Sequence, residues 1–210
     1  MATNSVNINP ASTRERLIAA MVDALRTKGF HGVGLTELLL AAQAPKGVLY
    51  HHFPGGKSEL AVAAIDAVIS EITKGLAKLL QRYRDPASAL EAWMSFAQNK
   101  LAGSGFEQGC PLAAIALEST PEDGAIRAAL ANGFAAIRAT LLQTLHSAGI
   151  EADRARNLSA LIVSAYEGAL VQARVAGSVE AMSDTAAALL DLVRMTLPKK
   201  TSLTVNPESL

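Results

Sequence analysis

The sequence holds one cysteine, Cys110, so it has no intrachain disulfide and no cysteine-rich zinc centre. Aromatic side chains are scarce, with 1 Trp, 3 Tyr and 5 Phe in 210 residues. Neither charge is in excess. The 19 Lys and Arg balance the 19 Asp and Glu, which excludes attachment to nucleic acid by bulk charge alone. No stretch free of charged residues approaches the ~20 residues that a membrane-crossing helix needs. The opening MATNSVNINPAST has neither the basic start nor the apolar run of a secretion signal, so the expected location is cytoplasmic. G-x-S-x-G, H-E-x-x-H and the phosphate-binding glycine loop are missing, so neither an enzyme nor a cofactor is expected. What the chain does have is 40 Ala and 28 Leu, and half of it is apolar. These are strong helix formers, and the expected fold is all-α with small residues where helices meet.

The neutral total hides an asymmetry. Residues 1–57 carry six basic side chains (Arg14, Arg16, Arg26, Lys28, Lys46, Lys57) against three acidic ones, and three of the four His. A mildly basic N-terminal unit on a mildly acidic body suits contact with phosphate.

About nine helices are expected. Residues 1–11 read as a disordered start. Ser12 and Glu15 have capping-box spacing, so a helix starts at Thr13, with Leu17, Ile18, Met21, Val22 and Leu25 on one face and a stop at Gly29. Thr36 is placed to cap a short second helix. Gln43-Ala44 makes a turn, and Pro45 suits the first position of a third helix running to about His52. Three short helices of this kind read as a helix-turn-helix unit over residues 12–56. Pro54-Gly55-Gly56 breaks the chain, and a long fourth helix runs from Lys57 or Ser58. Further helices span about 86–102, a short stretch ending near Glu118, one from Thr120-Pro121-Glu122 to Ser147, Glu151–Ala176 and Ser178–Met195. This second unit covers 57–197, and 198–210 reads as a flexible tail.

The run AQAPKGVLYHHFPGGK, residues 42–57, carries the most information. With Gly29-Phe30, Leu35-Thr36 and the spacing Lys46-Gly47-x-Leu49-Tyr50-x-His52-Phe53, it resembles the DNA-binding unit of the tetracycline-repressor family of bacterial transcription regulators, across about Arg14–Leu60. Together with Gly109-Cys110-Pro111-Leu112 it is similar to the branch of drug- and flavonoid-responsive efflux repressors. The resemblance implies DNA contacts from Thr36, Gln43, Pro45, Lys46, Gly47, Val48, Tyr50, His51 and Lys57. Gly47 lets backbone approach DNA, and Tyr50 presents a hydroxyl to phosphate. Val48 stands where the family commonly has a small hydroxyl residue; it can meet a thymine methyl but cannot hydrogen-bond a base. Gln43 either touches DNA or only closes the turn. Leu49 and Phe53 read as core, and His52 as packed. His51-His52 is not a metal pair, because adjacent helical residues diverge by about 100° and no Cys or carboxylate is near.

For the second unit the resemblance implies a ligand cavity and a dimer interface. Trp93, Phe96, Cys110, Phe134, Tyr166 and Gln172 are the candidate ligand contacts, and Phe106 is a further aromatic. Gln98, Asn132, Gln143 and Glu167 are further polar residues within apolar stretches. Cys110 is either a reactive thiol of lowered pKa or a small buried hydrophobe. Ala165, Gly168, Ala169, Ala173 and Ala176, with Ala186–Leu190, Leu192 and Val193, are the expected interface. The implied function is a homodimeric repressor on a palindromic operator, released by a small, mostly apolar inducer. The alternative is an architectural or cell-division DNA-binding protein of the same fold without a ligand.

Overall fold

The computed structural model describes residues 12–83 and 85–198. The ends expected to be disordered, 1–11 and 198–210, therefore lie outside the described residues except for Pro198. Among the described residues there are nine helices and no strand: α1 (Thr13–Thr27), α2 (Leu35–Ala41), α3 (Val48–His52), α4 (Gly56–Arg82), α5 (Pro86–Gly103), α6 (Pro111–Glu118), α7 (Gly124–Ser147), α8 (Ala152–Ala176) and α9 (Glu180–Thr196).

The local chemistry explains most of these bounds. At α1 the Ser12 N–H donates to Glu15 Oε2 at 2.7 Å and the Glu15 N–H to Ser12 Oγ at 3.3 Å, closing the capping box. Asp85 caps α5 by accepting from the Ala87 and Ser88 N–H groups, and Pro86 takes the first helical position. Several bounds differ from expectation, α9 among them, which starts at Glu180 and not Ser178. Gly34, not Thr36, precedes α2, and Thr36 is its second residue. Pro45 does not start α3, because Gly47 adopts a left-handed φ of 96° that interrupts helical backbone. That leaves α3 with five residues. The long helix α4 starts at Gly56. Asp123 Oδ2 accepts from the Thr120 N–H and hydroxyl at 2.9 and 3.1 Å, which holds residues 120–123 as a lead-in and delays α7 to Gly124.

The 27 residues of α4 join everything. It packs on α1 toward the N-terminus and on α5 and α7 in the body, while α7 packs on α8 and α8 on α9. One apolar cluster runs from Leu17 to Val193, so the N-terminal helices share a core with the body. A smaller cluster joins Ala97 and Leu101 of α5, Ala169, Leu170 and Ala173 of α8, and Met182 of α9. By length and composition α7 could cross a membrane. It carries Arg127 and Arg138, however, and packs on α4 and α8.

The expected interface stripe needs correction. Ala169, Ala173, Ala186, Leu189, Leu190 and Val193 are buried in the subunit's own core. Gly168, Ala176, Ala187 and Ala188 of the expected stripe are exposed, and the large exposed apolar residues of these helices are Leu161, Val171 and Val175 of α8 and Met195 of α9.

Candidate nucleic-acid interface and ligand cavity

The α2–α3 turn is closed by backbone alone. After Ala42, the Gln43 N–H donates to Leu40 O at 3.0 Å and the Ala44 N–H to Leu39 O at 2.9 Å, with Gln43 at φ 50°. This is a Schellman closure with Gln in the left-handed place usually held by Gly. The Arg16 guanidinium donates to Ala42 O at 3.0 Å and ties the turn to α1. Leu49 and Phe53, four residues apart and each 1% exposed, anchor α3 inward. The opposite side and its lead-in leave Pro45, Lys46, Gly47, Tyr50 and His51 exposed. Thr36 and Gln43 are exposed as well, while Val48 and His52 are half-buried. Lys57 is different: its ammonium sits over the Phe30 ring, 4.5 Å from the centroid, and burial lowers its pKa while the Glu118 charge raises it. It is half-buried and rests on a ring of its own unit.

The sequence reading missed the joint between this unit and the body. The Phe30 and His31 N–H groups, just past the end of α1, donate to one carboxylate oxygen of Glu118 at 2.7 and 3.1 Å. Glu118 is the last residue of α6. Gly29 makes the approach possible with a left-handed φ of 71°, and a Cβ there would lie 1.7 Å from Glu118 Oε1. His31 Nε2 also lies 3.7 Å from Asp123 Oδ2. No local pattern announces a contact between residues 88 positions apart.

A cavity of about 360 Å³ opens between α4, α5, the start of α6 and α8. Trp93 and Tyr166 stack in its wall with ring centroids 4.4 Å apart, and Phe96 and Cys110 also line it. Phe134 and Gln172 do not. Phe134 packs against the main core, and Gln172 is exposed and donates to Gly168 O within its own helix. Asn132 and Gln143 are exposed too, on the outer faces of their helices, while Gln98 is half-buried and its amide donates to Ser183 Oγ at 3.5 Å. The Cys110 thiol donates to Glu167 Oε1 at 3.2 Å. Burial, reinforced by the Glu167 charge, pushes the thiol pKa up, which removes the reading of Cys110 as a thiol of lowered pKa. Burial also raises Glu167, to about 7, and its Oε2 is buried with no hydrogen-bond partner among the described residues. Arg26 of α1, Glu71 and Lys78 of α4 and Lys100 of α5 stand in the same lining, and none of them was expected there from the sequence. Among the described residues, no group of three or more His, Cys, Asp or Glu gathers as a metal site would require.

Two family models match the chain. One, described as bacterial regulatory proteins of the tetR family, matches residues 17–64. The other, described as the C-terminal domain of LmrA/YxaF-like transcriptional regulators, matches residues 86–188. The chain is 24% identical over 182 residues to the HTH-type transcriptional regulator LmrA of Bacillus subtilis, covering 87% of this chain and 97% of that protein. It is 28% identical over 194 residues to the HTH-type transcriptional repressor NemR of Escherichia coli, covering 86% and 94%. The crystal structure of a regulatory protein TetR from Rhodobacter sphaeroides is similar, with a TM-score of 0.73 and 25% identity, covering 86% of this chain and 98% of that one.

Proposed function

The chain belongs to the TetR family of bacterial DNA-binding transcriptional regulators, and from that premise we propose that it is a homodimeric repressor released from a palindromic operator by a small, mostly apolar inducer. Residues 12–56 serve as the DNA-binding unit and 57–197 as the ligand and dimer unit. Lys46, Gly47, Tyr50 and His51 meet the operator from the exposed side of α3 and its lead-in, with Gln43, Pro45 and Thr36 at the flanks. Val48 meets an apolar base edge. The repressor NemR supports the direction of control.

The observation that carries the inducer is the cavity of about 360 Å³, which falls in the range typical of small-molecule sites. A purely architectural protein has no need of such a void beneath its only Trp. Two elements join cavity and DNA unit. The helix α6 has Pro111 in the cavity wall at one end and Glu118 on the Phe30–His31 backbone at the other. The helix α4 lines the cavity and packs on α1. A guest that shifts either one changes the spacing of the two α3 helices away from the 34–36 Å of adjacent major grooves, so ligand and DNA oppose each other.

The test is selection of randomised duplex DNA on the purified protein. An enriched inverted repeat with half-sites about one turn apart is the expected result. Binding without an enriched palindrome, lost in moderate salt, would leave only charge-driven contact and overturn the reading.

A further inference from the structure

The wall of the cavity is apolar, but its charged residues are unbalanced. Arg26, Lys78 and Lys100 line it with one carboxylate, Glu71. The Arg26 side chain is only 14% exposed, yet its contacts are two carboxylates at 3.6 Å, Asp23 on its own helix and Glu71 on α4. Both distances exceed a hydrogen bond, so Arg26 stands in the cavity lining with no short contact to its guanidinium among the described residues, and the guanidinium nitrogens stay open to solvent. Glu71 also serves Lys100 at 3.7 Å, so two cations share one exposed carboxylate. Lys78 has no carboxylate within 4 Å among the described residues.

Resting on the reading of this cavity as the inducer site, we propose that its guest is a flat aromatic acid whose ring packs against the Trp93–Tyr166 pair and whose carboxylate takes the Arg26 fork. A planar carboxylate matches a guanidinium bidentately, and the low-dielectric wall strengthens that bond. Lys100 and Lys78 add attraction at the rim. A cationic guest is disfavoured, because Glu71 already stands between two cations. Arg26 belongs to α1, so the guest's anionic group binds the DNA unit directly. It also competes with Glu71 for Arg26 and thereby loosens the Arg26–Glu71 ion pair that links α1 to α4. The acid is then both the recognition handle and the trigger.

The experiment is isothermal titration of the full chain at neutral pH with 2-naphthoate and with its neutral analogue 2-naphthamide. The carboxylate is expected to bind at least about tenfold more tightly, a preference that shrinks with added salt. Arg26→Gln should abolish the preference and leave amide affinity within about twofold. Lys100→Gln, at an exposed rim position, should reduce it in part, and it carries the test if Arg26→Gln does not fold. Equal affinity of the two probes, or a preference that survives Arg26→Gln or is untouched by Lys100→Gln, overturns the proposal while amide binding keeps the cavity reading alive. If neither probe binds, the cavity reading fails and this inference falls with it.

Discussion

Tyr50 is 59% exposed on a helix whose inward anchors are Leu49 and Phe53. Its hydroxyl has no partner among the described residues, so nothing in the subunit depends on it. Tyr50→Phe should therefore leave the thermal midpoint unchanged and weaken operator binding by about 1 kcal/mol, the net worth of one hydrogen bond. Lys46→Ala should weaken binding on every sequence and lower the slope of log affinity against log salt by about 1. Electrophoretic mobility shifts over a salt series decide both, and unchanged affinity would take these residues out of the DNA contact. Glu167 makes a different prediction. Burial raises its folded pKa to about 7, above the ordinary 4.5. The folded chain therefore holds a proton that the unfolded chain gives up between those values, and stability contributed by this group falls as pH rises through that window. Glu167→Gln should flatten this part of the profile. Thermal midpoints at pH 5 and pH 8 for both proteins test it; parallel behaviour would show that Glu167 does not titrate there.

At the scale of elements, α6 is the piece to perturb, because it touches the cavity at one end and the DNA unit at the other. In Glu118→Gln the two backbone donors lose a charged acceptor, and the Phe30 and His31 amides should exchange with solvent faster than in the parent. Gly29→Ala should be worse. A left-handed alanine costs about 1–2 kcal/mol on its own, and the new Cβ would expel the carboxylate. Hydrogen exchange read at these two amides checks the pair of variants, and retained protection in both would mean that Glu118 does not hold the joint. The contrast between α1 and this joint explains what a sequence can reveal. The start of α1 was legible because Ser12 and Glu15 are three residues apart and act on each other. The Glu118 contact was not, because its partner is determined by packing of distant helices. Pro45 misled for a related reason: proline favours a helix start, but Gly47 two residues later takes a conformation that only the turn's tertiary setting selects. Trp93 and Tyr166 were legible as cavity candidates from scarcity and setting. Phe134 had the same credentials and fills the core instead, since helical position indicates burial but not which void a side chain faces.

For the whole molecule, the decisive quantity is the number of α3 helices that reach one operator. A five-residue helix presents few base contacts, and specific binding needs two of them on adjacent turns of DNA. In the proposed dimer a second subunit packs against this one, and α8 offers a face that its own subunit leaves bare. Leu161, Gly168 and Val175 recur there at sevenfold spacing, which is close to two helical turns, and Leu161 and Val175 are 46% and 85% exposed. Gly168 has no atom within 4 Å of an added Cβ, so this is open surface on which another backbone can come close. Val175→Glu would bury an unpaired charge in that contact, which is far more costly than leaving it in water. The parent is expected to sediment as two chains and the variant as one at the same concentration, while keeping its helical content. Its operator affinity should fall and become steeply dependent on protein concentration, because each pair of recognition helices must then assemble on the DNA. Leu117→Glu supplies the control. That leucine is 83% exposed on α6, away from the stripe, and the same charge there should leave the sedimenting mass unchanged. A Val175→Glu protein that still sediments as two chains would move the interface off this face of α8, and the spacing of the two α3 helices would have to be set by another pair of elements.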